Sequence, residues 1–578
     1  MRVSDPTRLE VVKNSLEGIA EGMALTLVRT SRSSVVRQSL DFSTGVLSSK
    51  GELTGQGMCV PVHLGGMMPA LNACLARYPG KVYPGDILAT NDPYEGGSHL
   101  PDIFLFKPIF ERDTLVGYNC AMSHHTDIGG RVAGGNACDS SEIYQEGLRI
   151  PPLKLFEEGV ANETLFRILE KAVRVPDIVL GDLKGQIAGL YFGEREYLKL
   201  VNRYGIEGLE EATEELLEYS EMLTRNAIRS LPDGEWTFTD YIDDDGFSEE
   251  PIAIVSTLSK EDDEIHVDFT GTSPQCKGAI QPVFQTTQGM VYAVTKCILG
   301  TLGFGDIPNT AGYFRPIKVT APEGTFLNPL PPAPVAARAL GCWRMVQSLF
   351  GAFAQMIPEK VYACSGGNEL GVGFSGYDKS KTPWKPWVQL EFHVEMAMGG
   401  RPGMDGIDAQ GAGLGNLANV PVEVEETEQP LFVEEYAILE DSEGAGMNRG
   451  GAGMVRQWRF TMDDTVVQVR SDRMKFQPYG LFEGESPAPT KIVINPSDPE
   501  SELKPSKFLA SVKKGDVLRV QWPGGGGWGN PKERDPGLVL DDVIAEKVSV
   551  ERAEKVYGVV IEPSTRVIDY DKTRKIRK

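Results

Sequence analysis

Three strand candidates, Ile87–Thr90, Ile103–Phe110 and Leu115–Ser123, follow one another closely and set the local geometry of the chain. The last two are separated only by Glu111–Thr114. Paired as an antiparallel hairpin across that turn, they set Phe110 opposite Leu115 and Asp102 opposite Ser123. His124 then lies next to Asp102 across the open end, and His99 sits in the loop entering the first strand. Neighbouring strands run ~4.8 Å apart, so one small ion could reach all three side chains.

Elsewhere the pattern is mixed. Asp5-Pro6 reads as a helix cap followed by proline in the first turn, and Val12, Leu16, Ile19, Met23 and Leu27 recur at helical spacing, so 6–30 is an amphipathic helix. A second helix is expected around 66–78, helical character over 163–231, apolar helices around 287–302 and 335–356, and a last helix at 537–556. The glutamates 207, 210, 211, 214, 215, 218 and 221 share one solvated helix face. Residues 571–578 are basic and expected to fray. Without regular βαβ alternation the fold class is α+β, multi-domain, with antiparallel-rich sheets and a β-rich C-terminal part. The breaker Leu231-Pro232-Asp233-Gly234 sets the first boundary. The expected domains are 1–232, metal-bearing and N-terminal; 233–400, middle α+β; and 401–578, glycine-rich and β-containing.

Composition removes several functions. A net charge of −23 repels phosphate backbones and anionic lipid heads, so neither nucleic acid nor a membrane surface is an expected partner. No apolar run reaches the ~20 residues of a bilayer span, and the N-terminus lacks the apolar core of a secretory signal. The eight scattered cysteines form no C-x-x-C pair and read as buried thiols of a reducing compartment, the cytoplasm. Phosphate-loop, H-E-x-x-H and G-x-S-x-G signatures are absent, and the G-x-G-x-x-G matches at 371–376 and 524–529 open no helix and read as turns. Asp243-Asp244-Asp245-Gly246 fails as a calcium loop because Tyr241 and Ile252 fall on ligand positions. Any nucleotide site belongs on another chain.

Three of the six histidines, His99, His124 and His125, fall in one short stretch beside Asp92, Asp102 and Asp127. Two imidazoles and a carboxylate from His99, His124 and Asp102 suit zinc, manganese or iron better than calcium or magnesium. Asp41, between Leu40 and Phe42, is the candidate further carboxylate, since a charge at a core edge needs a partner. From spacing alone the same residues could equally cap and solvate a hairpin end. His63 reads as a packed or capping histidine able to line the same pocket, and His266 and His393 carry no role.

The blocks Asn91-Asp92-Pro93-Tyr94, Gly97-Ser98-His99-Leu100-Pro101-Asp102, His124-His125-Thr126-Asp127-Ile128-Gly129-Gly130 and Ser141 to Pro152 resemble, in order, those of the hydantoinase B/oxoprolinase B family. So do Pro308 to Gly312, Ala321 to Gly324, Arg449 to Gly453 and Pro523 to Gly529. The segment before Asp41, Val35 to Leu40, departs from a more acidic family stretch. The resemblance implies a hetero-oligomer, such as (αβ)2, with a hydantoinase A-type subunit that binds ATP and magnesium. The substrates it implies are cyclic amides such as N-methylhydantoin, 5-oxoproline or caprolactam. It also implies a metal, zinc or manganese, because the manganese ligands of related acetone carboxylases map onto His99, Asp102 and His124.

The expected reaction is divided. The partner spends ATP to phosphorylate the lactam oxygen, and this chain's metal activates the water that attacks the ring carbon. Asp127 or His125 serves as proton acceptor or orients the site, and Glu142, Glu146 and Arg149 either line the passage or, equally, support a helix or turn. The alternatives are a subunit of an acetone- or acetophenone-type carboxylase, whose matching chains are longer, and a noncatalytic scaffold with a structural metal.

Overall fold

The computed structural model describes residues 5–60, 63, 65–366, 371–391, 396–411 and 414–578, with the side chains of 58 and 59 left aside; His393 falls outside the described residues. Helix Pro6–Thr30 begins where Asp5 accepts from the amides of Thr7 and Arg8, and its apolar stripe from Leu9 to Leu27 is buried. It packs beside the long helical segment Pro176–Arg229, which bends at Gly205, where φ is 72°. Both lie on a seven-stranded sheet ordered Leu53–Cys59, Phe42–Ser48, Thr114–His124, Asp102–Glu111, Ile87–Thr90, Leu153–Glu157, Val160–Ala161. Glycines let the first helix approach the sheet, since a Cβ at Gly55 or Gly57 would meet the backbone of Leu16 or Ala20 within 3.0 Å.

The sheet is buried on both faces. Ile103, Leu105 and Ala121 feed the core under the two helices. Phe104, Phe106, Cys120 and Met122 feed a second core, which continues across residue 232 into the strands Gly234–Ile242, Ile252–Glu261 and Glu264–Asp268 and the helices Phe284–Thr301 and Ala339–Met356. Two further four-stranded sheets, built from strands between Gly371 and Gln521, share a core around Trp458, Trp522 and Phe374. The architecture is α+β and multi-domain, with the C-terminal part rich in strands, as the sequence led us to expect. No helix of the described residues is long and apolar enough to cross a membrane.

Four local expectations are corrected. Phe110 does face Leu115, but the register shifts between Ile109 and Phe110, leaving Val116 out of the ladder, so Asp102 pairs with His124 and not with Ser123. The expected helix at 537–556 is two, Pro536–Ile544 and Val550–Lys555, parted at Glu546, where φ is 56°, and restarted by the Ser549 cap. The basic tail folds as helix Tyr570–Ile576, pinned where Arg577 donates to the carbonyls of Tyr557 and Arg534 at 2.9 and 2.7 Å. The glycines at 371–376 lie in strand Gly371–Asp378, not in a turn.

Candidate metal centre

Asn91 builds the approach to the hairpin. Its side chain donates to the carbonyls of Leu100 and Leu148 and accepts from the Ile150 amide, fastening the 97–102 loop to the segment that follows the hairpin. Asp92 caps the short turn at Pro93–Glu95 and accepts two hydrogen bonds from Arg149 at 3.0 and 2.7 Å. The loop then closes on itself, the Asp102 amide donating to the His99 carbonyl, so that His99 and Asp102 share one turn. Asp102 and His124 are cross-strand partners on the same sheet face as Phe104 and Met122.

His99, Asp102 and His124 are all buried, and a ligand atom from each lies within 4.8 Å of the other two. The Nδ1 of His99 is 2.8 Å from the Ala336 carbonyl, which can only accept, so Nδ1 holds the proton and Nε2 presents a lone pair. That Nε2 stands 3.1 Å from the Asp102 Oδ1, and neither atom has a hydrogen-bond partner. Two electron-pair donors facing one another in a dry interior repel unless a proton or a metal ion joins them, and burial disfavours the proton by holding His99 below the ordinary histidine range. The residues present therefore fit a bound metal ion. Asn136 donates to His124 Nε2 at 3.3 Å.

Burial shapes the protonation states. It drives His99 below the ordinary histidine range, helped by Arg338, and drives His124 well below it, helped by His99. For Asp102 burial pushes upward, but His99 when protonated, the Arg338 guanidinium and His63 when protonated outweigh it and hold the carboxyl well below the usual range. The resting set is two neutral imidazoles and one carboxylate, the forms a metal needs.

Asp41 lines the pocket over this set, its backbone carbonyl accepting from the His124 amide, but it lies outside the close trio. His63 lines it as well: its Nδ1 is 3.0 Å from Ser43 Oγ, and its Nε2 is 3.8 Å from Asp41 and 3.7 Å from Asp102. Burial pushes the pKa of His63 down to about 3, against the pull of Asp102. Met290, Leu340 and Trp343 add apolar walls to a cavity of about 40 Å3.

His125 and Asp127 are not brought into this pocket. Successive strand residues point to opposite faces, so His125 turns away from His124 and toward helix Pro176–Arg229, its Nε2 3.0 Å from Gln186 Oε1. Asp127 is a fully buried staple that accepts from the Gly134 amide at 2.9 Å, the Arg174 amide at 2.5 Å and the Arg174 guanidinium at 3.2 Å. Glu146 is buried behind the site, accepting from the amides of Val335 and Ala336, and burial raises it to about 8. Arg338 escaped the sequence reading altogether, yet its guanidinium reaches Asp102 Oδ2 at 2.6 Å. The signal was present: a lone arginine inside Val335 to Leu340 must be buried beside a carboxylate.

The hydantoinase B/oxoprolinase family matches residues 5–531. The caprolactamase subunit beta of Pseudomonas jessenii is 31% identical over 573 residues, covering 97% of each chain. The crystal structure of the ATP-dependent caprolactamase from that organism superimposes with a TM-score of 0.91 at 29% identity, over 100% of both chains. The 5-oxoprolinase 1 of Arabidopsis thaliana is 28% identical over 557 residues, which cover 91% of this chain and 42% of that longer protein. The resemblance seen in the sequence blocks thus holds over nearly the whole chain, and the chain belongs to the hydantoinase B/oxoprolinase family.

Proposed function

We propose that this chain is the metal-bearing subunit of a two-subunit, ATP-dependent hydrolase of cyclic amides. One observation carries the reading: His99, Asp102 and His124 converge in a buried pocket of a fold that matches a caprolactamase chain from end to end. The sequence holds no phosphate-binding loop, so ATP and magnesium are assigned to a hydantoinase A-type partner in a hetero-oligomer. The cysteines with described side chains are free thiols, in keeping with the cytoplasm.

Zinc or manganese suits the donor set, and when bound it would polarise the water or the carbonyl that reacts. The chain's own groups do the rest. His99, Asp102 and His124 hold the ion, with Asp41 beside them. His63, kept neutral by burial and with Nε2 set between Asp41 and Asp102, accepts a hydrogen bond from the attacking water and orients it, a role first sought at His125 or Asp127. Met290, Leu340 and Trp343 wall the pocket and exclude bulk water.

The test is to purify the chain with its partner and supply ATP, magnesium and, in turn, hydantoin, 5-oxoproline and caprolactam, following ring opening by mass spectrometry. ATP-dependent opening of at least one ring is expected. A parallel arm offers a ketone with labelled bicarbonate; carboxylation there with no ring opened would replace this reading by the carboxylase one.

A further inference from the structure

The side chains behind the metal site converge on one short turn, residues 335–338. Its backbone carbonyl at Ala336 accepts from His99 Nδ1, and two residues on, Arg338 donates to Asp102 Oδ2. Two of the three candidate ligands are thus oriented by the same few residues, more than 230 positions away in sequence. Ser98 donates to that same Oδ2, so one oxygen of Asp102 is committed and only Oδ1 is turned toward His99.

The turn is itself fastened. Glu146, 2% exposed, accepts through Oε1 from Val335 N at 2.7 Å and Ala336 N at 2.9 Å. Ala337 N donates to the Ala279 carbonyl at 2.7 Å, and Gln281 donates to the Pro334 carbonyl at 3.1 Å. Glu146 lies in the block Ser141 to Pro152, which the reaction as derived above does not use.

We infer that Arg338 and Glu146 are positioning residues of the metal site, Arg338 restricting Asp102 to one-oxygen coordination and Glu146 holding the turn that aims both Asp102 and His99. The inference rests on the proposed metal function and adds to it a source of affinity. Outer partners of this kind change metal affinity by roughly 10–100-fold. A simpler role makes the opposite prediction. If Arg338 only neutralises Asp102 while no ion is bound, its positive charge repels the metal, and removing it should tighten binding.

The test uses the full-length chain, stripped by chelator and titrated with Zn2+ against a chromophoric competitor, and the visible spectrum of the Co2+ form reports ligand geometry. Arg338→Met and Glu146→Ala are expected to bind roughly 10–100-fold more weakly, with an altered Co2+ spectrum. Glu146→Gln keeps the accepting oxygen and is expected to stay near wild type. Wild-type affinity in both Arg338→Met and Glu146→Ala, or tighter binding by Arg338→Met, overturns the inference alone. A wild-type chain that takes up no metal overturns the proposed function with it. Should Glu146→Ala fail to fold, wild-type or tighter binding by Arg338→Met alone overturns the inference.

Discussion

Acidifying the metal-free protein to about pH 5.5 should cost it little of its affinity for zinc. Two imidazole ligands of ordinary pKa near 6.5 would each be about 90% protonated there, weakening binding about 120-fold, or ~2.8 kcal/mol, and expelling about 1.8 protons per metal bound. In this structure burial holds His99 and His124 below the ordinary range, and Asp102 is ionised already. Both quantities should therefore fall well short of those figures. Isothermal titration in two buffers of different ionisation enthalpy counts the protons directly, and a release near 1.8 at about pH 5.5 would refute the claim that these ligands wait as neutral imidazoles. The same burial makes the metal-free fold acid-labile. His63, His99, His124 and His125 are all lowered, so below pH ~6.5 the unfolded chain binds protons that the folded chain refuses. Stability is full above that pH and falls beneath it by up to about 1.4 kcal/mol per histidine per pH unit.

Other expectations follow from single contacts. Replacing His63 with Ala should lower kcat roughly 10–100-fold while bound metal, read by mass spectrometry, stays at the wild-type ratio; an unchanged kcat removes His63 as the residue that orients the water. Asp127→Ala strips the buried partner of Arg174 and of three backbone amides, so denaturant unfolding should show a loss of roughly 3–5 kcal/mol. Trp458→Ala, in the core shared by the two C-terminal sheets, should cost roughly 3–5 kcal/mol, visible as faster proteolysis of the C-terminal part.

Much of the site was legible because it is local. His99, Asp102 and His124 are gathered by one hairpin whose strands announce themselves as apolar runs. The register was harder for a physical reason: both faces of strands 102–111 and 114–124 are buried, so no alternation of polar and apolar residues marks where Val116 drops out of the ladder. The shift helped the site, since it sets His124 directly across from Asp102. His125 could have been excluded in advance, because a strand cannot turn adjacent residues to one face. Arg338 and Glu146 act through contacts between distant segments, and only the charge of an arginine in an apolar stretch hinted at the first. At the C-terminal end the helix breaks at Glu546, a non-glycine residue in the left-handed region, which no glycine or proline signals.

X-ray absorption at the metal edge, recorded on the purified full-length chain, addresses the ligand set without intermediary. It should show one ion per chain with two imidazole nitrogens and carboxylate oxygen, for zinc at about 2.0–2.2 Å, and lose an imidazole in His99→Ala. A chain free of metal, or sulfur at about 2.3 Å from a buried cysteine, would contradict the account.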